Sequence, residues 1–330
     1  MPQHFSLLSS EIIYVLEYLL FSIEISLPIA IVIMLGVWFK RLGWINEAFT
    51  QAGSSLVFKV TLPCLLFINI IQTDASLASG GPIIGFAAAM SLGWFMVLSL
   101  ITYWVTKHRD ERGVFVQGSF RGNMGILGLA YCLSAFGQEA SALASLYLAG
   151  ITLVYNILAV ITLNRWAYQP GDSSNIQSTA LNLIKNPLII AIFIAFAWRS
   201  SGVSVPNFVI SSGEYLAQLT LPLALLCIGA SLSWSGFVSS GRVTLIATSF
   251  KLVLIPYSSV LIGYYFGFRG LELGVMYLMM ATPTAAASYM MVRAMGGNAN
   301  MAASIIAFST VISLITTSIG LVGMKALNWI

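Results

Sequence analysis

Gly118-Ser119-Phe120-Arg121-Gly122-Asn123-Met124-Gly125-Ile126-Leu127-Gly128 lies inside a hydrophobic run from about residue 114 to 136, and its reading decides the fold. A run of that length is a candidate to cross a bilayer as a helix, yet this one carries an arginine, an asparagine and four glycines near its middle. The helix is expected to break there. A second interrupted run, Ala281-Thr282-Pro283-Thr284-Ala285, sits inside the apolar segment from about 273 to 292. The step along the chain from Asn123 to Thr282 is also the step from Thr61-Leu62-Pro63 to Thr220-Leu221-Pro222, from Pro28 to Pro187 and from Gly137 to Gly296. In a chain with only ten prolines, matches spread over both halves at one constant offset point to an internal duplication.

Composition fixes the class. With 58% hydrophobic and 8% charged residues and a mean hydropathy of +0.90, the chain has too few polar side chains to cover a water-soluble surface. It reads as an all-α membrane protein with ten spans of about 20 residues, the length that the hydrocarbon core demands. Their limits are about 19 to 39, 52 to 71, 82 to 105, 114 to 136 and 141 to 163, then 187 to 200, 211 to 233, 243 to 266, 272 to 292 and 300 to 322. Residues 5 to 18 are apolar but punctuated by Glu11 and Glu17, which fits an interfacial lead-in. The N-terminus lacks a basic region and a small-residue cleavage pattern, so no removed signal peptide is expected. The polar stretch around Pro170-Gly171-Asp172-Ser173-Ser174-Asn175 marks a linker. The expected organisation is therefore a first repeat over 1–163, a cytoplasmic linker over 164–186 and a second repeat over 187–330.

Basic residues set the orientation. With both termini outside the cell membrane, the cytoplasmic loops hold nine Lys and Arg residues against three outside: Arg199, Arg269 and Lys325. Five spans per half is an odd number, so the second copy enters the membrane in the opposite sense and the repeats are inverted. The fourth and ninth spans are then broken helices. Asparagine and threonine are good N-caps and proline suits the first helical position, so Asn123 and Thr282-Pro283 are expected to start new half-helices at mid-membrane. Both N-termini then face one central point, and their free N–H groups and positive dipole ends make it a cradle for a carboxylate.

Other chemistries find no support in the sequence. The two histidines, His4 and His108, fall outside the spans, so no metal site is expected and no cofactor is implied. No glycine-rich phosphate loop occurs, which leaves gradients as the source of energy and argues against an enzyme. The three cysteines lie in apolar spans as small hydrophobes. The net charge of +4 sits at span ends, the signature of membrane topology and not of nucleic-acid binding. Of the cations inside spans, Lys59 is placed to reach the cytoplasmic surface, whereas Arg121 and Lys251 are candidates to attract a substrate. Glu24, Asp74, Glu214 and Glu272 gather toward outer ends in solvated or capping positions.

The sequence resembles the auxin efflux carrier family of plant and bacterial transporters. The resemblance rests on Leu62-Pro63-Cys64-Leu65-Leu66-Phe67, on Gly118-Ser119-Phe120-Arg121-Gly122-Asn123 with Gly125 and Gly128, and on Tyr155-Asn156. It continues with Lys185-Asn186-Pro187-Leu188, Leu221-Pro222-Leu223-Ala224-Leu225-Leu226, Gly229-Ala230-Ser231-Leu232, Lys251-Leu252-Val253-Leu254-Ile255-Pro256, Pro283, and Ala302-Ala303-Ser304 to Ser309-Thr310. It implies a fold shared in outline with bile acid/sodium symporters. Spans one, two, six and seven would form a scaffold domain, and spans three to five with eight to ten a moving transport domain. It also leaves room for a homodimer through the scaffold. Family members export auxin in plants and are associated with malonate, malate and related carboxylates in bacteria, and the asparagine that touches the carboxylate in the plant exporters falls on Asn123. Gly122 stands where those exporters have a proline, and their long cytoplasmic loop is missing, so the compact bacterial form is the better comparison.

The resulting expectation is a secondary transporter or uniporter of small organic anions, mono- or dicarboxylates, working by elevator-like alternating access in the inner membrane. Its expected substrate-binding residues are Asn123, Arg121, Thr282, Pro283, Thr284, Gly125, Asn156 and Lys251. The alternatives are a sodium-coupled organic-acid symporter and a membrane-embedded carboxylate receptor. In a background lacking Cys64, Cys132 and Cys227, single cysteines at 76 to 80 should react with an impermeant thiol reagent from outside, and those at 171 to 177 from inside. The reverse pattern would overturn the topology.

Overall fold

The computed structural model describes residues 27–28, 31–72, 80–137, 139–166, 185, 187–232 and 234–330. The interfacial lead-in, Glu24, Asp74 and most of the linker 164–186 lie outside the described residues. All regular structure among the described residues is helical. The helices are α1 (31–41), α2 (Glu47–Gln72), α3 (Gly81–Val105), α4 (Arg109–Phe120), α5 (Met124–Gly128 running on into Leu129–Phe136) and α6 (Glu139–Trp166). They continue as α7 (Pro187–Ser201), α8 (Asn207–Ser231), α9 (Trp234–Ser249 through Phe250–Leu254 to Ile255–Tyr265), α10 (Gly270–Met280), α11 (Ala286–Met295) and α12 (Ala299–Ala326).

Among the described residues, five stretches are by themselves long and apolar enough to cross a membrane: Glu47–Gln72, Gly81–Val105, Ala142–Trp166, Asn207–Ser231 and Gly241–Tyr265. A sixth, α12, is bent by 43° between Ala299–Ser313 and Ile315–Ala326. Helices α7 and α10 are apolar but shorter.

Local chemistry sets the boundaries. The Asn46 side chain accepts from the Phe49 N–H at 2.9 Å to start α2, and Asn298 accepts from Met301 at 3.0 Å to start α12. Gly137 and Gly296 end α5 and α11 with φ of 65° and 83°, backbone that a side chain would strain. Two prolines leave a different mark. Pro63 and Pro256 each follow a π-helical turn, Val57–Thr61 and Phe250–Leu254. Proline removes one helical donor and crowds the carbonyl four residues back, and widening the preceding turn relieves both faults without ending the helix. Helix boundaries also repeat along the chain. Glu47 and Gln72, the ends of α2, recur as Asn207 and Ser231, the ends of α8, and Glu139 and Trp166 of α6 recur as Ala299 and Ala326 of α12. Each of these steps equals the one from Asn123 to Thr282 to within a single position.

Packing sorts the helices into two groups. In the first, α2 packs on α7 and α8. Arg199 donates to the Ile70 carbonyl at 3.0 Å and Gln72 donates to Glu214 at 2.8 Å, tying α7 and α8 to the end of α2. Glu214 is thus a hydrogen-bond acceptor at that end. The second group is α3 to α6 together with α9 to α12. Helix α11 joins the groups by lying on α2 and α8, where Arg293 pairs with Glu47 and Tyr289 shares a hydrogen bond with Ser231.

Glycine lets α1 and α8 touch backbone to backbone, because a methyl group on Gly229 would collide with the Ile33 carbonyl and one on Gly36 with the Leu226 carbonyl. Gly229→Ala should therefore lower stability by about 1–3 kcal/mol. Gly241→Ala, at a site with open space, should change little. Thermal unfolding of the two variants in detergent checks the contrast.

Candidate functional site

Two unwound stretches face each other at the centre of the second group of helices. One is 121–123, between α4 and α5; the other is 281–285, between α10 and α11. They pair as a short antiparallel bridge in which the Asn123 N–H donates to the Pro283 carbonyl at 2.8 Å and the Ala285 N–H donates to the Arg121 carbonyl at 3.1 Å. In a bilayer, backbone that leaves a helix needs such partners, since no water replaces them. Hydroxyls complete the pairing. Thr284 donates to the Gly118 carbonyl at 2.7 Å while its own N–H donates to Ser309 Oγ at 3.0 Å, and Thr282 donates to the Met279 carbonyl at 2.9 Å.

The two half-helices that leave the bridge do not start symmetrically. Leu127 N–H donates to the Asn123 carbonyl at 3.1 Å, so α5 begins directly after Asn123. On the other side, α11 begins at Ala286 with Ala285 as N-cap and no side-chain cap bond. The expectation that Thr282-Pro283 starts this half-helix is therefore corrected: the start moves on to Ala286. Residues 281–285 stay out of the helix because their backbone is engaged in the bridge, and Thr282 turns its hydroxyl back to α10 instead of forward.

A cavity of about 630 Å³ lies against this bridge. Asn123, Met124 and Gly125 at the start of α5 and Ala285, Ala286 and Ala287 at the start of α11 both line it, so the N-terminal ends of two helices meet at one space. Arg121, Tyr155, Asn156, Ser145, Thr152 and Gln72 add polar groups to the wall, and Thr220 adds a buried hydroxyl from α8. Leucines of α2, α5, α6 and α8 form most of the apolar part, with Ile70, Ala149 and Ala224.

Arg121 is 5% exposed and held only by neutral groups. Its Nη2 donates to Asn156 Oδ1 at 2.7 Å, and its Nη1 contacts the Met291 sulfur. Asn156 in turn donates from Nδ2 to the Thr152 carbonyl at 2.8 Å, which fixes the amide so that its oxygen faces the guanidinium. Among the described residues, no carboxylate lies within ion-pair distance of Arg121. A buried cation so placed is costly unless an anion arrives.

The structure divides the expected site residues. Arg121, Asn123, Gly125 and Asn156 come together around the cavity; Thr282, Pro283, Thr284 and Lys251 do not line it. Lys251 is fully buried in the π-helical turn of α9, and its Nζ donates to the Met280 carbonyl at 2.7 Å. That carbonyl ends α10, where unpaired acceptors and the negative dipole end favour a cation, so Lys251 acts on the bridge from within the protein. Lys59 is exposed, as a side chain reaching the surface would be. Sequence reasoning did not single out Met291, Thr220 or the leucine wall. For Thr220 a signal existed, since it falls in register with Thr61.

Residues 21–321 match the family described as Membrane transport protein. The chain is similar to an uncharacterized transporter of Methanocaldococcus jannaschii, with 23% identity over 93% of this chain and 98% of the relative. It is similar to an uncharacterized transporter of Methanothermobacter thermautotrophicus, with 24% identity over 89% and 96%. The uncharacterized transporter YfdV of Escherichia coli shares 23% identity over 86% and 92%.

Gly122 is the point where the bridge has no spare room, because a methyl group there would overlap Thr282 Oγ1 and lie 3.0 Å from Lys251 Nζ. At Gly125 the nearest atom to such a methyl would be Leu148 Cδ1 at 3.8 Å. Gly122→Ala should reduce stability by about 1–3 kcal/mol, and Gly125→Ala should fold as the wild type does. Melting curves of both proteins test this; equal stability would show that the bridge tolerates displacement.

Proposed function

Because the chain belongs to the membrane transport protein family, which includes the auxin efflux carriers, we propose that this membrane transporter is a secondary transporter or uniporter of small organic anions, moving them across the inner membrane by elevator-like alternating access. The observation that carries the proposal is Arg121, a buried guanidinium with no carboxylate partner among the described residues, set in the wall of a cavity at which two helix N-termini meet. A carboxylate entering this space gains the planar two-point donor of arginine. It also meets the free N–H groups at the starts of α5 and α11. Asn156 orients the guanidinium and Asn123 offers an amide beside it. Thr282, Pro283, Thr284 and Lys251 support the crossing from behind.

The recurrence of helix boundaries at one constant step favours two five-span halves. The antiparallel pairing of Gly122 with Thr284 supports their inversion, because two broken spans running in opposite senses meet with antiparallel backbones. In this reading α1, α2, α7 and α8 are the scaffold, and α3 to α6 with α9 to α12 are the moving body. With both termini outside, the Arg293–Glu47 pair and the Tyr289–Ser231 hydrogen bond close the cytoplasmic end. The cavity, which reaches Gln72 at the end of α2, then faces outward. Sliding of the moving body would carry Arg121 and its anion past the scaffold while α11 leaves α2 and α8.

Substitutions at Arg121 separate recognition by shape from recognition by charge. Arg121→Lys keeps the charge but loses the planar fork, and Arg121→Gln loses both. Initial uptake of a panel of mono- and dicarboxylates into proteoliposomes should fall in the order wild type, Lys, Gln, with each protein monodisperse on gel filtration. Asn123→Ala should reduce uptake as well, with a stability change of roughly 0.5–2 kcal/mol if its side chain caps α5. Equal uptake by wild type and both Arg121 variants would remove this residue from the site, and saturable binding without flux would identify a receptor.

A further inference from the structure

The cavity offers one fixed charge and a large aliphatic wall, and that disproportion limits what it accepts. Among the described residues that line it, Arg121 is the charged one. Lys251, the other buried cation near the bridge, does not line the cavity and spends its ammonium on the Met280 carbonyl. The apolar part of the wall includes Leu62, Leu65 and Leu66 of α2, with Leu129 of α5 and Leu148 and Leu153 of α6. Tyr155, the aromatic residue of the wall, is buried and packs with Phe120 in an edge arrangement with centroids 5.6 Å apart, so it presents little open ring surface for stacking.

We infer that the substrate is a monocarboxylate with a branched or medium-chain aliphatic body, and not a dicarboxylate; this rests on the anion-transport reading above. The carboxylate docks on Arg121 and the half-helix N-termini, and the hydrocarbon body lies along the leucines, where it leaves water as they do. A second carboxylate on the substrate would be driven among those leucines. There it would meet the hydroxyls of Ser145, Thr152 and Thr220 and the amide of Gln72 but, among the described lining residues, no second cation, so its lost hydration would be replaced only in part.

Thermal stabilisation and proteoliposome competition at neutral pH with octanoate, isovalerate, malonate, malate and phenylacetate test the inference. Octanoate or isovalerate should act at concentrations at least roughly tenfold lower than malonate or malate, and the effect should vanish in Arg121→Gln, which separates site binding from a detergent-like action. Leu65→Lys, which adds a second cation to the wall, should move the preference toward malonate. Malonate, malate or phenylacetate acting best in an Arg121-dependent way would overturn the aliphatic monocarboxylate and leave the anion transporter standing. Responses to every acid that are the same in wild type and Arg121→Gln would overturn both readings.

Discussion

Two main-chain hydrogen bonds, from Asn123 N–H to the Pro283 carbonyl and from Ala285 N–H to the Arg121 carbonyl, are what the rest of the site depends on. Inside a bilayer a helix is interrupted only where the freed backbone groups find protein partners. Here each interruption is the partner of the other. Threonine and serine hydroxyls supply further bonds, so the two breaks together form one small polar core within an apolar protein. Its tightness at Gly122 follows from the same requirement: antiparallel backbones at bonding distance leave no volume for a side chain between Thr282 and Lys251.

That bridge determines where charge can be placed. It aims the starts of α5 and α11 at one cavity and holds Arg121 beside them, while Lys251 faces the end of α10. The two buried cations therefore answer different needs. Lys251 complements an acceptor that the protein itself provides, namely the last carbonyl of a helix. Arg121 has only neutral partners, and Asn156 and Met291 orient it without neutralising it. A guanidinium arranged in this way is fixed in direction and incomplete in charge.

The two groups of helices meet through few polar contacts, which concentrate on α11. Its Arg293 and Tyr289 reach Glu47 and Ser231 on the neighbouring group, and its first residues line the cavity. One short helix thus carries both residues that line the cavity and the polar contacts to the neighbouring group. Movement of either would be felt by the other, because a single rigid turn structure connects them.

How much of this was legible follows from which interactions are local. Composition and the lengths of apolar runs determined an all-helical membrane protein, since the bilayer imposes a length that any sequence displays. The break at 121–123 was visible because arginine, asparagine and glycines in a hydrophobic run each oppose a continuous helix by themselves. The prolines at 63 and 256 were visible too, but not the π-helical turns before them, which arise from how the surrounding helix absorbs a missing donor. Thr282-Pro283 had the composition of a helix start, and only the pairing with 121–123 decided that the helix begins at Ala286: two backbone hydrogen bonds across the bridge outweigh one local cap. In the same way the sequence put Arg121 and Lys251 on equal terms as buried cations. Which one faces the cavity and which one serves the end of α10 depends on residues far apart in the chain, and that is a distance that no local pattern records.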